Sequence, residues 1–395
     1  MLVGGIGGVG LDGNVKNSDN WAPRVGVAYQ FDDSTVVRAG YGRSCDIGVF
    51  GSLFGGVVTQ NLPVLSRQQL NAPSQGDAVF TLSDGPPPPA FVEVGPDGRF
   101  PLPDQVSTPA LRDKQRLPAV DAWNVTLQRQ LSDSLSLEVG YVGNRGARVF
   151  VGDDVAPNAN EPTIDGFTAG VPIDERRPFF AGLKTPNQNL GGAFGWTQGV
   201  NFYCICGINW YNSLQAKLEQ RFSQGLTYRV SYTLQRARGE GSSYFFWDRT
   251  LEQGPRDWDR THNLVVSAVA ELPFGRGRRY GGDVSPLVDG IIGGWQFNVN
   301  YSNLSGMPFN VDYRGASADR DVGPNRPDLI GDPDGPKTRD QWFNATPIGE
   351  PGSAFGRPAA GTFGSIGRNE LRGPSFWQVD ASVFKNIRMG GTRQL

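Results

Sequence analysis

Apolar and polar residues alternate with a period of two along most of the chain. In residues 226–235, large apolar side chains occupy every second position and mostly polar side chains lie between them. Because successive side chains of a β-strand point to opposite faces, this pattern predicts a strand with one apolar and one polar face. The same alternation recurs, with varying strength, in residues 24–31, 35–42, 123–131, 135–141, 210–222, 264–272, 295–301 and 377–386. The pattern therefore predicts about nine strands of about ten residues each.

Links of two very different lengths join these predicted strands. The short links are residues 32–34, 132–134 and 223–225, with an intermediate link at 273–294 on the same side. The long links are residues 43–122, 145–209, 236–257 and 305–376, with approximate bounds. Since short and long links alternate, all tight turns are expected at one end of the sheet and all long loops at the other. This asymmetry is typical of outer-membrane barrels, in which the long loops are extracellular.

Aromatic residues concentrate at the long-loop end of the predicted strands. Five tryptophans stand at or near the start of a strand that comes from the long-loop end, and two tyrosines stand where a strand returns to that end. They are Trp21, Trp123, Trp210, Trp258, Trp377, Tyr41 and Tyr141. One level of aromatic residues is typical of the girdle at a membrane interface. A strand of about ten residues, rising about 3.3 Å per residue and tilted near 45°, spans roughly 23 Å, close to the ~25 Å apolar band of a barrel.

These patterns favour an all-β fold, an antiparallel up-and-down transmembrane β-barrel. We expect the barrel over residues 23–395 and a glycine-rich lead-in over 1–22. A soluble secreted β-sandwich would show the same alternation, so the loop asymmetry and the aromatic girdle decide in favour of the barrel. The sequence has no apolar run of about 18 residues, which a transmembrane helix needs, but membrane β-strands leave no such signal.

Composition narrows the classes of function. The 395 residues include 54 glycines and 29 prolines, in keeping with many turns, and the formal net charge is −2. A near-neutral charge disfavours a nucleic-acid binder, which needs a basic surface. One histidine and three cysteines leave little material for zinc sites or histidine-based catalysis. We therefore expect no enzymatic activity, no metal site and no cofactor.

An ordered set of short motifs carries a resemblance to a known family. The set includes residues 20–26 (NWAPRVG), 138–143 (EVGYVG), 257–262 (DWDRTH) and 371–374 (LRGP). It resembles the barrel of TonB-dependent outer-membrane receptors, and among them the Oar-like branch, which often carries a carboxypeptidase-regulatory-like domain. The resemblance implies a barrel of about 22 strands behind a plug domain. No plug, TonB box or signal peptide is recognisable, so we expect the chain to be a fragment holding about nine of those strands.

The resemblance also implies a function and partners. The parent protein is expected to take up a bulky extracellular ligand, such as an oligosaccharide, a peptide or a metal chelate. Energy would come from the TonB complex, acting through an N-terminal part of the parent. The other expected partner is the lipid of the outer membrane of a Gram-negative bacterium. The alternative is a structural or adhesive surface barrel that transports nothing.

An aromatic run in one long loop is a candidate ligand-binding site. Tyr244, Phe245, Phe246 and Trp247 stand next to one another between two predicted strands. Aromatic rings at a pore mouth can stack on a sugar or a peptide. Packing within the loop or membership of the girdle explains the run more simply, so both interpretations stand at this point.

The cysteines also fall at the long-loop end of the predicted sheet. Cys45 follows one strand, and Cys204 and Cys206 lie shortly before another. An extracellular setting is oxidising, so a disulfide from Cys45 to one of the other two is a candidate. A metal site that combines them with His262 is disfavoured, because nothing in the sequence fixes these groups at ligand spacing.

Overall fold

Nine long strands form one continuous sheet in the computed structural model. The described residues are 6–8, 15–16, 20–46, 74, 76–88, 94–98, 108–111, 115–151, 158–180, 199–241, 245–313 and 325–387. The long strands are β1 Arg24–Asp32, β2 Thr35–Cys45, β3 Ala119–Gln130, β4 Leu135–Val151, β5 Val200–Ser223, β6 Leu226–Glu240, β7 His262–Glu271, β8 Trp295–Leu304 and β9 Phe376–Lys385. Each pairs antiparallel with the next along the chain. This up-and-down meander confirms the predicted fold class.

Shorter elements lie outside this path. The short strands are Val15–Lys16, Thr108–Leu111, Gln115–Arg116, Gln253–Pro255, Pro308–Phe309, Asp328–Leu329, Phe355–Gly356 and Leu371–Arg372, and the 3-10 turns are Asp174–Arg176 and Arg249–Glu252. The described residues include one α-helix, α1, which spans Pro286–Ile292 and begins after Ser285, whose side chain accepts a hydrogen bond from the Val288 amide. Among the described residues, no helix is long and apolar enough to cross a membrane.

Cross-strand register joins the alternating apolar positions into one face. Val27, Ala39, Val125, Tyr141 and Leu214 are opposite one another in a single row from β1 to β5. The side chains of Val27, Val125 and Leu214 are nevertheless 61%, 50% and 46% exposed. A continuous exposed apolar face of this kind needs an apolar environment, which for a barrel is lipid.

The opposite face of the same strands is polar and is held together by cross-strand contacts. The clearest of these contacts are Arg38 to Gln128 at 2.9 Å, Arg229 to Glu219 at 3.0 Å and Lys217 to Glu138 at 3.4 Å. Pairing of charges across neighbouring strands offsets part of the cost of placing them on one surface. This face has the character of a hydrated barrel lumen.

Tight turns at one end of the sheet fix the strand register. Between β1 and β2, the Asp32 side chain accepts a hydrogen bond from the Ser34 amide at 2.8 Å, which closes an Asx turn. Between β5 and β6, Gln224 and Gly225 have φ values of 54° and 83°. Two residues with positive φ form the turn that suits the right-handed twist of a hairpin. The predicted short links therefore lie together at the short-turn end.

The three central strands are longer than the expected ten or so residues. The strands β4, β5 and β6 contain 17, 24 and 15 residues and continue past their neighbours at the long-loop end. The extension of β5 includes the uninterrupted apolar run 202–206, in which Ile205 is only 4% exposed. A strand position that is buried like Ile205 needs no polar neighbour, so the period of two that marks the other strands is lost there. The expected loops 145–209 and 236–257 therefore begin or end in strand.

The ring of Trp123 covers a glycine on the neighbouring strand. Trp123 lies directly opposite Gly143 on the apolar face. A Cβ atom added to Gly143 would lie 2.4 Å from Trp123 Nε1 and 2.5 Å from Trp123 Cε2. Because real Cβ atoms do not approach that closely, the ring can lie flat on β4 only when residue 143 is glycine. This contact positions one member of the aromatic girdle.

Replacement of Gly143 by alanine is expected to displace the Trp123 ring. The added methyl group overpacks the contact, and we expect a loss of about 1–3 kcal/mol in the free energy of unfolding. The matched control is Gly26→Ala, because a Cβ there meets only the Ala39 carbonyl oxygen at 3.8 Å. Urea unfolding in detergent micelles measures both. Equal stability of the two variants would show that the Trp123 contact is unimportant.

Candidate functional site

Loops at the long-loop end pack together into one structure. Residues 158–180, 245–261 and 325–375, which we call the loop cap, contact one another. Phe245 is 4% exposed and packs against Ile164, Leu251 and Phe363, so that all three segments meet at one ring. A second apolar cluster lies within the third segment and contains Ala354, Phe355, Ile366 and Leu371. These small cores give the loop cap a defined shape.

A buried carboxylate connects the loop cap to the sheet. Asp259 is fully buried, and its Oδ1 accepts a hydrogen bond from the amide of Ala237 on β6 at 2.7 Å. The guanidinium of Arg372 donates to the Asp259 carbonyl at 2.8 Å and also pairs with the carboxylate. One side chain therefore joins β6, the segment before β7 and the segment before β9.

A second group of charges, in which Asp257 is exposed and the other members are buried, lies beside the first. Arg368 donates to Asp257 at 2.7 Å and to the Pro255 carbonyl at 2.9 Å. Arg326 pairs with Glu252 at 3.4 Å, and both residues are 4% exposed. Burial lowers the pKa of Arg368, with the charges of Asp257 and Glu252 acting in the opposite direction. Paired charges in this position are costly to separate, because each partner would be left uncompensated.

These contacts assign a structural role to two of the sequence motifs. The motif at 257–262 supplies Asp257 and Asp259, and the motif at 371–374 supplies Arg372. More than a hundred residues separate the partners along the chain. Sequence reasoning found both motifs but not their contact, because spacing in sequence carries no signal of such a long-range pair.

The aromatic run is divided between packing and exposure. Tyr244 lies outside the described residues. Phe245 is buried against Phe363 at a ring-centroid distance of 4.8 Å, so it is part of the loop core. Phe246 is half-buried and makes edge contacts with Phe202 at 5.6 Å and Trp247 at 4.8 Å. Among the described members, Trp247 is the exposed one, with 43% of its surface accessible.

Glu161 holds the exposed end of the aromatic run in place. Its carboxylate accepts a hydrogen bond from the Phe246 amide at 2.6 Å, and its carbonyl accepts one from Trp247 Nε1 at 2.8 Å. Burial raises the pKa of the Glu161 carboxyl, and the hydrogen bond from Phe246 and the charge of Arg177 oppose that rise. Trp247 is thus an exposed ring with a fixed orientation.

The expected disulfide from Cys45 is wrong. Cys45 is a free thiol, whereas Cys206 is disulfide-bonded. The strand register explains why Cys45 is excluded from this disulfide. Cys45 of β2 lies in the same cross-strand row as Ile208 of β5, and the strands β3 and β4 lie between them. Three strand spacings amount to about 14 Å, well beyond the ~7 Å Cα separation that a disulfide can bridge. The side chain of Cys204 lies outside the described part of the chain.

His262 is occupied by a contact on the apolar face. Its Nδ1 lies 2.7 Å from the hydroxyl of Tyr232, and the two rings are stacked. Within the described residues, no group of three or more histidine, cysteine, aspartate or glutamate side chains is arranged to hold a metal ion.

Comparison with known proteins identifies the family. Residues 1–395 match the family described as the outer membrane beta barrel domain. The chain belongs to this family. Its location is therefore the outer membrane, and the exposed apolar face of the nine-stranded sheet is the lipid-facing side of a barrel wall. No curated protein matches the sequence.

Three solved structures share a low overall similarity with this outer-membrane barrel domain. The ferric-catecholate import receptor Fiu of E. coli K12 has 9% identity and a TM-score of 0.35, over 75% of this chain and 26% of that one. The FrpB iron transporter of Neisseria meningitidis has 9% identity and a TM-score of 0.34, over 77% and 30%. The complex of FpvAI with pyocin S2 has 10% identity and a TM-score of 0.32, over 74% of this chain and 24% of that one. The chain thus spans less than a third of each, and at these values nothing about their ligands is transferred to it.

Loss of the Asp259 carboxylate is expected to detach the loop cap from β6. In Asp259→Ala, Arg372 loses its carboxylate partner and the Ala237 amide loses its acceptor, and we expect a cost of about 1–3 kcal/mol in local stability. The control is Asp334→Ala, because Asp334 pairs with Lys337 on the surface of the same loop cap and is 61% exposed. Limited trypsin digestion of the membrane-inserted protein measures the opening. Equal cleavage of residues 325–375 in both variants would contradict a special role for Asp259.

Docking of residues 158–180 is expected to tighten as the pH falls. The folded pKa of Glu161 lies above its ordinary value of 4.5, so the docked state binds a proton more tightly than the open state. The stabilisation that the Glu161 carboxyl gives to the docked state is therefore present below its ordinary pKa and is lost as the pH rises through its raised pKa. Glu161→Gln removes this dependence, whereas Glu175→Gln, at an exposed position of the same segment, keeps it. Hydrogen exchange of residues 158–180 between pH 4.5 and 7 tests this, and an equal slope for Glu161→Gln and wild type would refute it.

Proposed function

We propose that the chain forms part of the wall and the extracellular mouth of an outer-membrane transporter that admits a bulky polar ligand. The observation that carries the proposal is one sheet with an exposed apolar face, a cross-linked polar face and a folded loop cap at one end. A loop cap with its own buried cores is a fixed surface on which recognition residues can be held. A transporter needs such a structure, because the mouth selects the ligand.

The polar face supports passage of a hydrophilic ligand. Its acidic and basic side chains are paired across strands, as in Arg229 with Glu219 at 3.0 Å and Lys217 with Glu138 at 3.4 Å. These pairs leave the surface hydrated and weaken the field of either sign, since the cation of each pair has an anion nearby. An oligosaccharide, a peptide or a metal chelate fits a surface of this character.

The exposed ring of Trp247 supports recognition at the mouth. Its indole N–H is bonded to Glu161, which leaves the ring fixed and its free face accessible. A fixed aromatic ring binds a sugar ring, a peptide or an aromatic chelator with little loss of side-chain entropy. We assign Trp247, supported by Phe246, to the ligand-binding surface.

The open sheet supports a larger assembly. Among the described residues, β1 and β9 each pair on one side only. Unpaired backbone groups in lipid cost several kcal/mol each, so we propose that both edges pair with further strands of a closed barrel. The resemblance to TonB-dependent receptors supports a coupling of this barrel to the TonB complex, through a plug domain of the parent.

Uptake by whole cells tests the transport proposal. A deletion strain is supplied with a radiolabelled ferric siderophore, a maltodextrin oligosaccharide or a short peptide, with and without a protonophore. We expect the deletion to abolish uptake of one of the three, and the protonophore to abolish the same uptake in wild-type cells. Unchanged uptake of all three, together with lost surface attachment, would instead support an adhesive barrel.

Replacement of Trp247 tests the assignment of the mouth. Trp247→Ala removes the stacking ring and is expected to weaken binding of the transported ligand about tenfold. Trp247→Phe keeps the ring and is expected to retain most of the affinity. The control is Ile330→Ala, because Ile330 is another exposed apolar residue of the loop cap, with 67% of its surface accessible. Equal binding by Trp247→Ala and Ile330→Ala would remove Trp247 from the site.

A further inference from the structure

A row of arginines lies on the lipid-facing side, just beyond the aromatic girdle. Arg43, Asp121, Arg145, Trp210 and Arg238 are opposite one another from β2 to β6. No register shift interrupts the strands between these positions and the apolar positions nearer the short-turn end. The strand alternation therefore places their side chains on the apolar face and not on the polar one.

A further arginine lies one row closer to the membrane. Arg236 of β6 is opposite Asn212, in the row that also contains Tyr41 and Trp123. The arginine row lies two residues, about 7 Å, beyond this aromatic row. Aromatic girdles lie at the level of the lipid headgroups, so these arginines are at headgroup level or just above it.

This surface carries an excess of positive charge, with the carboxylate of Asp121 directly opposite Arg145 and close enough to act on it. Arg43 is paired with the carboxylate of Asp121 through two hydrogen bonds of 2.7 and 2.8 Å. Arg145, Arg236 and Arg238 form no salt bridge with any described residue, and Arg145 and Arg236 are exposed. The Nε of Arg238 is buried and has no hydrogen-bond partner among the described groups. Two exposed cations and one half-buried cation thus lack a salt-bridge partner among the described residues at this level.

We propose that Arg145, Arg236 and Arg238 bind the phosphate groups of an anionic lipid in the leaflet at the long-loop end. A guanidinium can donate two parallel hydrogen bonds to one phosphate group, and this geometry makes arginine well suited to bind phosphate. Arg145 and Arg238 are two strands apart, about 10 Å, and the half-buried ring of Trp210 lies between them. A headgroup with more than one phosphate can therefore contact both cations and rest on the indole.

Binding of a lipid of defined phosphorylation tests this site. The purified protein in uncharged detergent is mixed with bisphosphorylated lipid A or with its dephosphorylated form, and bound lipid is counted by native mass spectrometry. We expect the phosphorylated form to be retained at least about tenfold more tightly, corresponding to 1.4 kcal/mol or more. Equal retention of the two forms would overturn the proposal without any variant being needed.

Variants locate the site. The triple variant Arg145→Gln, Arg236→Gln, Arg238→Gln is expected to lose the preference for the phosphorylated lipid. The matched control, Arg24→Gln, Arg38→Gln, Arg229→Gln, removes the same charge from the polar face and is expected to keep the preference. Retention of the preference by the first triple variant, with circular dichroism showing that it is folded, would overturn the proposal.

A competition experiment distinguishes lipid from free anion. Inorganic phosphate is added to the wild-type protein with lipid A bound. We expect little displacement, because the acyl chains on the apolar face contribute to the binding of the lipid. Full displacement by inorganic phosphate at physiological concentration would identify a free-anion site and overturn the assignment to lipid.

Discussion

Backbone pairing between neighbouring strands is the constraint on which the rest of the structure depends. In lipid, each amide and carbonyl group must be satisfied within the protein, and a sheet does this only through its neighbours. The antiparallel register of β1 to β9 satisfies these groups and at the same time fixes which side chains share a row. A slip of one residue would move the apolar set of a strand to the polar face, so the register also determines where lipid and water can lie.

The same register gives the two ends of the sheet different characters. At the short-turn end, compact turns such as that at Gln224 and Gly225 leave little surface for recognition. At the long-loop end, β4, β5 and β6 continue beyond the membrane band, and the loop cap is joined to β6 through Asp259. Arginines follow the aromatic row on the outer side of this extension, and buried ion pairs lie within the loop cap. Recognition of ligand and of lipid is therefore expected at one end.

Periodicity predicted the features that depend on local alternation. The number of strands, the short turns and the apolar face could be predicted because a lipid-facing strand must repeat every two residues. The extension at 202–206 could not be predicted this way, because a packed segment has no polar face to alternate with. The pairing of Asp259 with Arg372 depends on how two distant segments pack, and the exclusion of Cys45 from a disulfide depends on register across several strands. That register is a property of the folded sheet and leaves no trace in sequence spacing.

The accessibility of successive side chains on β6 tests most directly whether one face of the sheet meets lipid and the other a lumen. Single spin labels are placed at residues 228–234 in a protein whose free cysteine, Cys45, is replaced by alanine. The labels are then exposed to oxygen and to a water-soluble nickel complex. Labels at Tyr228, Val230, Tyr232 and Leu234 are expected to respond to oxygen, whereas labels at the intervening residues are expected to respond to the nickel complex. Equal access of the nickel complex to both sets would contradict the assignment of one face to lipid and the other to a lumen.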